Sequence, residues 1–272
     1  MKIGVLGPEG TFSEKAARKW NSRAEIRYFE DISDVLEAAQ KGEIDSGIVP
    51  VENSIEGSIG MTLDYLLEYD VKVTGEVVIP VKHCLLGRRG EDIRVILSHP
   101  QALAQCRKHL KSMFPGAELR AVESTARAAE MAAKARNTAA IASEESARRY
   151  GLTVLEHSIA DMKENFTRFL VIGKQFAPPG GSDKTSIIVY LDENRPGALY
   201  DLLGEFARRS IDLTKIESRP SKKALGDYLF YIDFKGHFSD PLVREAIENV
   251  KQKTGMLKLL GSFRTADSQM DV

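Results

Sequence analysis

Over residues 1–173, short apolar runs alternate with amphipathic stretches, and this alternation constrains the fold more than any other feature of the chain. Runs at 3–6, 26–29, 47–51, 95–97, 139–142 and 168–172 predict strands. Apolar positions recur at helical spacing over 13–20, 32–41, 58–68, 100–112, 125–135 and 144–150. Strands that alternate with helices predict α/β architecture, with helices covering a mostly parallel sheet. Glycine, proline or hydroxylated residues fill the strand-to-helix junctions: Gly7-Pro8-Glu9-Gly10-Thr11-Phe12-Ser13, Pro50-Val51-Glu52-Asn53-Ser54, Ser98-His99-Pro100-Gln101 and Glu123-Ser124-Thr125. Sheets of this kind bind ligands beyond the carboxyl ends of their strands, where these junctions fall.

Near residue 174 the pattern stops. Pro178-Pro179-Gly180-Gly181 sits in a stretch without strand or helix period, so 1–174 is expected to be one domain and 175–183 a linker. Residues 184–265 read as strand, helix, two strands with a turn at 221–226, helix and strand. That βαββαβ order predicts a ferredoxin-like plait, followed by a short tail at 266–272.

Charge excludes some partners. Lys and Arg total 38 against 39 Asp and Glu, which offers no field for nucleic acid or an anionic membrane surface. An anionic ligand must be held by local groups. Cys84 and Cys106 form no CxxC pair, which fits a reducing compartment without a disulfide. Residues 1–7 are too short and glycine-broken for a signal peptide, and no run approaches the roughly 20 apolar residues of a membrane span, so a cytoplasmic protein is expected. His83, His99, His109, His157 and His237 lack metal-ligand spacing, and GxxxxGK[ST], GxGxxG and GxSxG are absent. Neither a metal nor another cofactor is expected.

Four places carry candidate chemistry. Thr11-Phe12-Ser13-Glu14 fits a capping box, and the amides and hydroxyls of that helix start suit an anion. Ser98 or His99 caps the next helix beside Gln101. Glu52, Asn53 and Ser54 follow the apolar strand 47–51 directly, as a ligand-facing loop does, although a solvated turn reads the same way. Asn165-Phe166-Thr167-Arg168-Phe169 opens the last strand of the first domain, with Arg168 either a ligand or a surface charge. In the second domain, Gly197 permits a tight strand-to-helix turn before Ala198 and Leu199, and the alternating strand 213–220 ends at Pro220. No acid or base of the usual catalytic kinds sits there, so binding fits better than catalysis.

In their order, these motifs resemble the prephenate dehydratase family over nearly the whole chain. Gly7–Ser13, the Pro50–Gly57 segment, Ser98 through Cys106, and a segment from Tyr150 through Leu152, Leu155 and Asp161 to Thr167-Arg168-Phe169-Leu170 are similar to that family's four catalytic-domain motifs. Gly197-Ala198-Leu199-Tyr200 and Glu217-Ser218-Arg219-Pro220 resemble the phenylalanine-binding motifs of its regulatory ACT domain. The resemblance implies a two-lobed catalytic domain akin to periplasmic binding proteins, with crossings near 74–81 and 158–168, and hinge closure on the substrate. It implies decarboxylating dehydration of prephenate to phenylpyruvate, driven by aromatisation and without a cofactor. Thr167 is the implied catalytic residue, with Thr11, Ser13, Glu52, Asn53, Ser54, Ser98, Gln101, Asn165, Arg168 and Phe169 around the substrate. L-Phenylalanine is the implied effector at Asn194, Gly197, Ala198, Leu199, Leu213, Ile216, Glu217 and Ser218, where the Gly197 amide meets its carboxylate and the rows around Leu213 and Ile216 hold its ring. A homodimer or homotetramer through ACT domains is implied as well. With the opening motif at residue 7, no room is expected for the chorismate mutase domain of bifunctional relatives. Two alternatives stay open: an arogenate dehydratase, with Glu52 or Glu56 meeting the substrate ammonium, and a non-catalytic amino-acid sensor.

Overall fold

The computed structural model describes residues 1–191 and 195–266. The first lobe is built from β1 (Lys2–Leu6), α1 (Phe12–Trp20), β2 (Glu25–Phe29), α2 (Ile32–Lys41), β3 (Ser46–Asn53), β4 (Gly57–Ser58), α3 (Gly60–Glu68) and β5 (Lys72–Pro80). Local chemistry sets several of these boundaries. Asp31 caps α2 by accepting from the Ser33 amide, and Gly42, at φ 78°, ends it by returning its N–H to the carbonyls of Ala38 and Ala39. The chain then crosses at 81–83 into the second lobe. There it forms β6 (Cys84–Gly87), β7 (Val95–Ser98), α4 (Pro100–Gln105), α5 (Arg107–Met113), β8 (Glu118–Ala121), α6 (Thr125–Lys134), β9 (Thr138–Ala142), α7 (Glu144–Tyr150) and β10 (Thr153–Glu156). The helix expected over 100–112 breaks at Cys106 (φ −108°, ψ 9°) into α4 and α5. Residues 157–165 return the chain to β11 (Phe166–Gly173).

Both sheets are mixed, which corrects the expectation of a mostly parallel sheet. The first runs β2-β1-β3-β11-β5, with β4 beside β3, and only the β1–β2 and β1–β3 pairs are parallel. The second runs β10-β6-β9-β7-β8, with parallel pairing confined to β7–β8 and β7–β9. The two crossings explain the antiparallel pairs. β5 leaves the first lobe at Pro80, opposite Phe166, where β11 enters it, so the two strands must run in opposite directions. Val81 donates its amide to Asn165 O at 2.8 Å and ties the two crossings together.

The C-terminal unit contains β12 (Asp183–Tyr190), α8 (Ala198–Ala207), β13 (Leu213–Pro220), β14 (Tyr228–Lys235), α9 (Pro241–Gln252) and β15 (Met256–Arg264). Its sheet order, β13-β14-β12-β15, is that of a ferredoxin-like plait. One face is covered by its own helices through Leu202, Phe206, Val243 and Val250. The other lies on the first lobe. There Ile188, Leu229, Tyr231, Leu260 and Phe263 share one core with Leu36, Val49, Leu63, Leu66 and Leu170. Burying side chains of this size contributes about 1.5–3 kcal/mol each before entropy is counted. Tyr231 donates its hydroxyl to Leu63 O at 2.8 Å, and Lys258 reaches the carbonyls of Leu67 and Tyr69 at the end of α3. Gly261 lies close against the first lobe: a Cβ there would lie 2.3 Å from Val73 O of β5, and its φ is 150°.

Candidate active site

Between the two lobes lies a cleft of ≈ 450 Å³, lined from both sides and by both crossings. Thr11, Ser13, Asn53, Gln101, Asn165, Thr167 and Phe169, all singled out in the sequence, line it. Phe12, Glu56, His83, His99 and Gln105 line it too. Among the described residues, no lysine or arginine lines the cleft.

The floor is a hydrogen-bonded chain of neutral side chains that ends on the carboxylate of Glu56. Asn53 and Thr167 face each other across β3 and β11. Asn53 Oδ1 accepts from the amides of Ile55 (3.0 Å) and Glu56 (3.1 Å), which fixes the orientation of the side-chain amide. The two protons of its Nδ2 therefore serve three acceptors, Asn165 Oδ1 (2.7 Å), Thr167 Oγ1 (3.0 Å) and Phe166 O (3.1 Å), one of them through a shared proton. Asn165 Nδ2 donates in turn to Gln105 Oε1 at 3.0 Å, and Gln105 Nε2 to Glu56 Oε1 at 3.1 Å. His83 Nε2 meets the same Gln105 oxygen at 3.0 Å, so Nε2 carries the proton. Burial pulls the His83 pKa below its ordinary value, opposed by the bond to Gln105, and burial likewise lowers His99 against the pull of Glu56. Both rings are neutral at neutral pH.

At the start of α1 the expected capping box does not form. Glu14 reaches back to the Gly10 amide at 2.7 Å, but Thr11 donates its hydroxyl to Leu6 O at 3.2 Å and caps nothing. The first amides of α1 thus have no side-chain cap at the edge of the cleft. His99 caps α4 by accepting from the Gln101 amide, at 3.4 Å.

Four expected ligands lie elsewhere. Arg168 projects from the face of β11 opposite Thr167, as period-two alternation requires. Its guanidinium bonds Glu76 at 2.6 Å and Asp233 of the plait at 2.7 Å. Burial works against its charge, but these carboxylates outweigh that and push its pKa above the ordinary arginine value. Glu52 is turned to the same side and pairs with Lys215 of β13 at 3.1 Å. Ser98 is fully buried and donates to Ile141 O at 2.7 Å within the second lobe. Ser54 accepts from the Phe166 amide at 2.9 Å and holds the start of β11. Of the residues not singled out, Gln105 left a readable signal: it follows Gln101 by four positions and so shares its helix face. His83 had none, because it sits in a crossing with no periodic pattern.

In the plait, Gly197, Ala198 and Leu199 line a cavity of ≈ 260 Å³ with Arg195, Tyr228 and Phe230. Gly197 adopts φ 86° and no side chain caps α8. Leu213, Ile216, Glu217 and Ser218 lie on β13, the sheet's edge strand, outside that cavity. Glu217 accepts from Ser58 Oγ at 3.1 Å and so faces the first lobe. Asn194 lies outside the described residues.

The first lobe of a two-lobed α/β unit thus shares its core with a ferredoxin-like plait, and the cleft between the lobes carries the polar groups of a small-molecule site. The family model for prephenate dehydratase matches residues 3–177, and that for the ACT domain matches 185–252. The chain is 43% identical to a prephenate dehydratase of Methanocaldococcus jannaschii, over 96% of this chain and 97% of that one. It is 45% identical to a bifunctional chorismate mutase/prephenate dehydratase of Pseudomonas aeruginosa, over 98% of this chain and 74% of the relative. A crystal structure of prephenate dehydratase from Arthrobacter aurescens in complex with L-Phe superposes with a TM-score of 0.90 at 34% identity, covering 100% of this chain and 92% of that one. The chain belongs to the prephenate dehydratase family. Its reaction is the decarboxylating dehydration of prephenate to phenylpyruvate.

Proposed function

We propose that prephenate lies in the cleft with its ring along Phe12 and Phe169, one carboxylate at the uncapped start of α1 beside Thr11 and Ser13, and its ring hydroxyl at Thr167. The observation that carries this reading is the fixed amide of Asn53. Because Nδ2 donates to Thr167 Oγ1, the threonine's own proton is left to point into the cleft. As the carboxylate–ring bond breaks, its electron pair moves into the ring and expels hydroxide from the opposite carbon. Thr167 donates a hydrogen bond to that oxygen as charge develops. A threonine hydroxyl is too weak an acid to surrender the proton outright, so the oxygen leaves as hydroxide beside the released carbon dioxide, phenylpyruvate keeps one negative charge, and the hydroxide is neutralised by the solvent buffer. Neutral donors carry the binding, with no cation from Arg168.

A second substrate is supported by one observation. Glu56 sets a carboxylate in a cleft without a lysine or arginine, where the ammonium of arogenate fits. Glu52, committed to Lys215, is not available for that role. L-Phenylalanine is the effector, with its carboxylate at the start of α8 and its ring against Tyr228 and Phe230. A second copy brought to the β13 edge completes the effector site and makes a homodimer or homotetramer. Among the described residues no helix is long and apolar enough to cross a membrane. We place the enzyme in the cytoplasm on its kinship with metabolic enzymes.

The test is phenylpyruvate formation by the purified chain and its Thr167 variants, with and without L-phenylalanine. Thr167→Ala is expected to lose about 10²–10³-fold in kcat and Thr167→Ser far less. Equal losses would rule out the hydrogen-bond role.

A further inference from the structure

Behind the catalytic strand pair, charges from both domains meet. From the first lobe come Arg168 of β11, Glu76 of β5 and Glu52 of β3. The plait contributes Asp233 of β14, Lys184 of β12 and Lys215 of β13. Among these six groups the lobe supplies one cation and two anions, and the plait two cations and one anion, with Glu217 of β13 reaching the edge of the cluster through Ser58 Oγ. Arg168 holds Glu76 at 2.6 Å and Asp233 at 2.7 Å. Lys184 holds Glu76 at 3.1 Å, and Ser186 Oγ of β12 donates to Asp233 Oδ1 at 2.5 Å. Lys215 spans Glu52 at 3.1 Å and the Ser58 hydroxyl at 2.6 Å. Ser58 itself lines the cleft.

The register gives this cluster its meaning. Arg168 pairs with Glu52 in the ladder, next to the pair Thr167–Asn53. Each residue of the catalytic pair is therefore bonded through the backbone to a residue that the plait grips from behind. A buried ion cluster with complementary halves tolerates little displacement, because moving one partner leaves the others unpaired in a poorly solvating interior.

Resting on the reading of Thr167 given above, we propose that Asp233 is a positioning residue for catalysis: through Arg168 it fixes the height and tilt of β11, and so the placement of the Thr167 hydroxyl in the cleft. The plait then belongs to the catalytic apparatus and is more than an appended sensor. Any effector that shifts the plait's sheet acts on Thr167 by this route.

The full chain is assayed for prephenate turnover as Asp233→Asn, Asp233→Glu and Ser186→Ala, beside Thr167→Ala, with rates normalised to the folded fraction from thermal unfolding. Asp233→Asn is expected to lower kcat by about 5- to 100-fold, the scale of a misplaced catalytic group, with KM within about threefold of wild type. Asp233→Glu should recover most of that loss. Ser186→Ala, which removes only the hydroxyl on Asp233, should lower kcat in the same direction by about 2- to 5-fold, and it decides the matter if Asp233→Asn fails to fold. A kcat within twofold of wild type in folded Asp233→Asn or, should that variant not fold, in Ser186→Ala, or a loss residing wholly in KM or in the folded fraction, overturns the proposal. If Thr167→Ala loses its turnover while the Asp233 variants keep theirs, only the clamp is wrong. Should Thr167→Ala itself remain active, the reading of Thr167 fails first.

Discussion

The two faces of β11 differ in kind. Toward the cleft stand Thr167 and Phe169, met by Asn53, Asn165, Gln105 and a neutral His83. Toward the plait stand Arg168 and Leu170, within a cluster of full charges and a shared apolar core. The substrate carries two negative charges, yet the face on which we place it offers dipoles and the opposite face holds the cations. Buried charge is stable only when permanently paired, and a domain interface provides permanent partners. A cleft that fills and empties cannot. Neutral amides and hydroxyls are readily solvated when the site is open and still converge on an anion when it closes.

This contrast can be broken in three ways. The largest effect is expected behind the strand. Gly261→Ala drives a Cβ against Val73 O in a backbone conformation that L-residues rarely adopt, and should cost about 3 kcal/mol of stability by denaturant unfolding. A loss below 1 kcal/mol would mean that the plait docks more loosely than described. In front of it, Asn53→Asp replaces a donor by an acceptor. The Thr167 proton would then turn to the new carboxylate and away from substrate, lowering kcat on the order of 10²-fold. An Asn53→Asp enzyme as active as wild type would contradict the assigned direction of that bond. The smallest effect concerns pH. His83 has a folded pKa depressed below 6.5, so the unfolded state binds its proton first as pH falls. The stability from keeping the ring neutral is complete above about pH 6.5 and declines below it, by at most about 1.4 kcal/mol per pH unit. Thermal unfolding between pH 7.5 and 5 should show a shallower decline in His83→Gln than in wild type.

Much of the fold was legible because long amphipathic stretches declare themselves. Helices over 32–41, 125–134 and 144–150, and the order of the plait, follow from period and caps. β8 was not legible: Glu118–Ala121 spans only four residues at a sheet edge, and although it alternates polar and apolar residues all four are exposed, so no apolar run marks it. Neither were the antiparallel insertions, since pairing direction depends on where the chain re-enters a lobe and no local signal records that. The site was legible in its motifs and not in its orientations. Thr167 and Arg168 are neighbours in sequence, and only the pleat separates them. Ser98 reads in the sequence as a cap candidate, yet its hydroxyl serves the carbonyl of Ile141.

The division between the faces of β11 is tested most directly by the KM for prephenate of Arg168→Lys. Lysine keeps the charge and loses the fork that spans Glu76 and Asp233. The account predicts a lower kcat and reduced thermal stability, with KM within about threefold of wild type. A KM raised tenfold or more, with stability unchanged, would put the guanidinium on the substrate and contradict it.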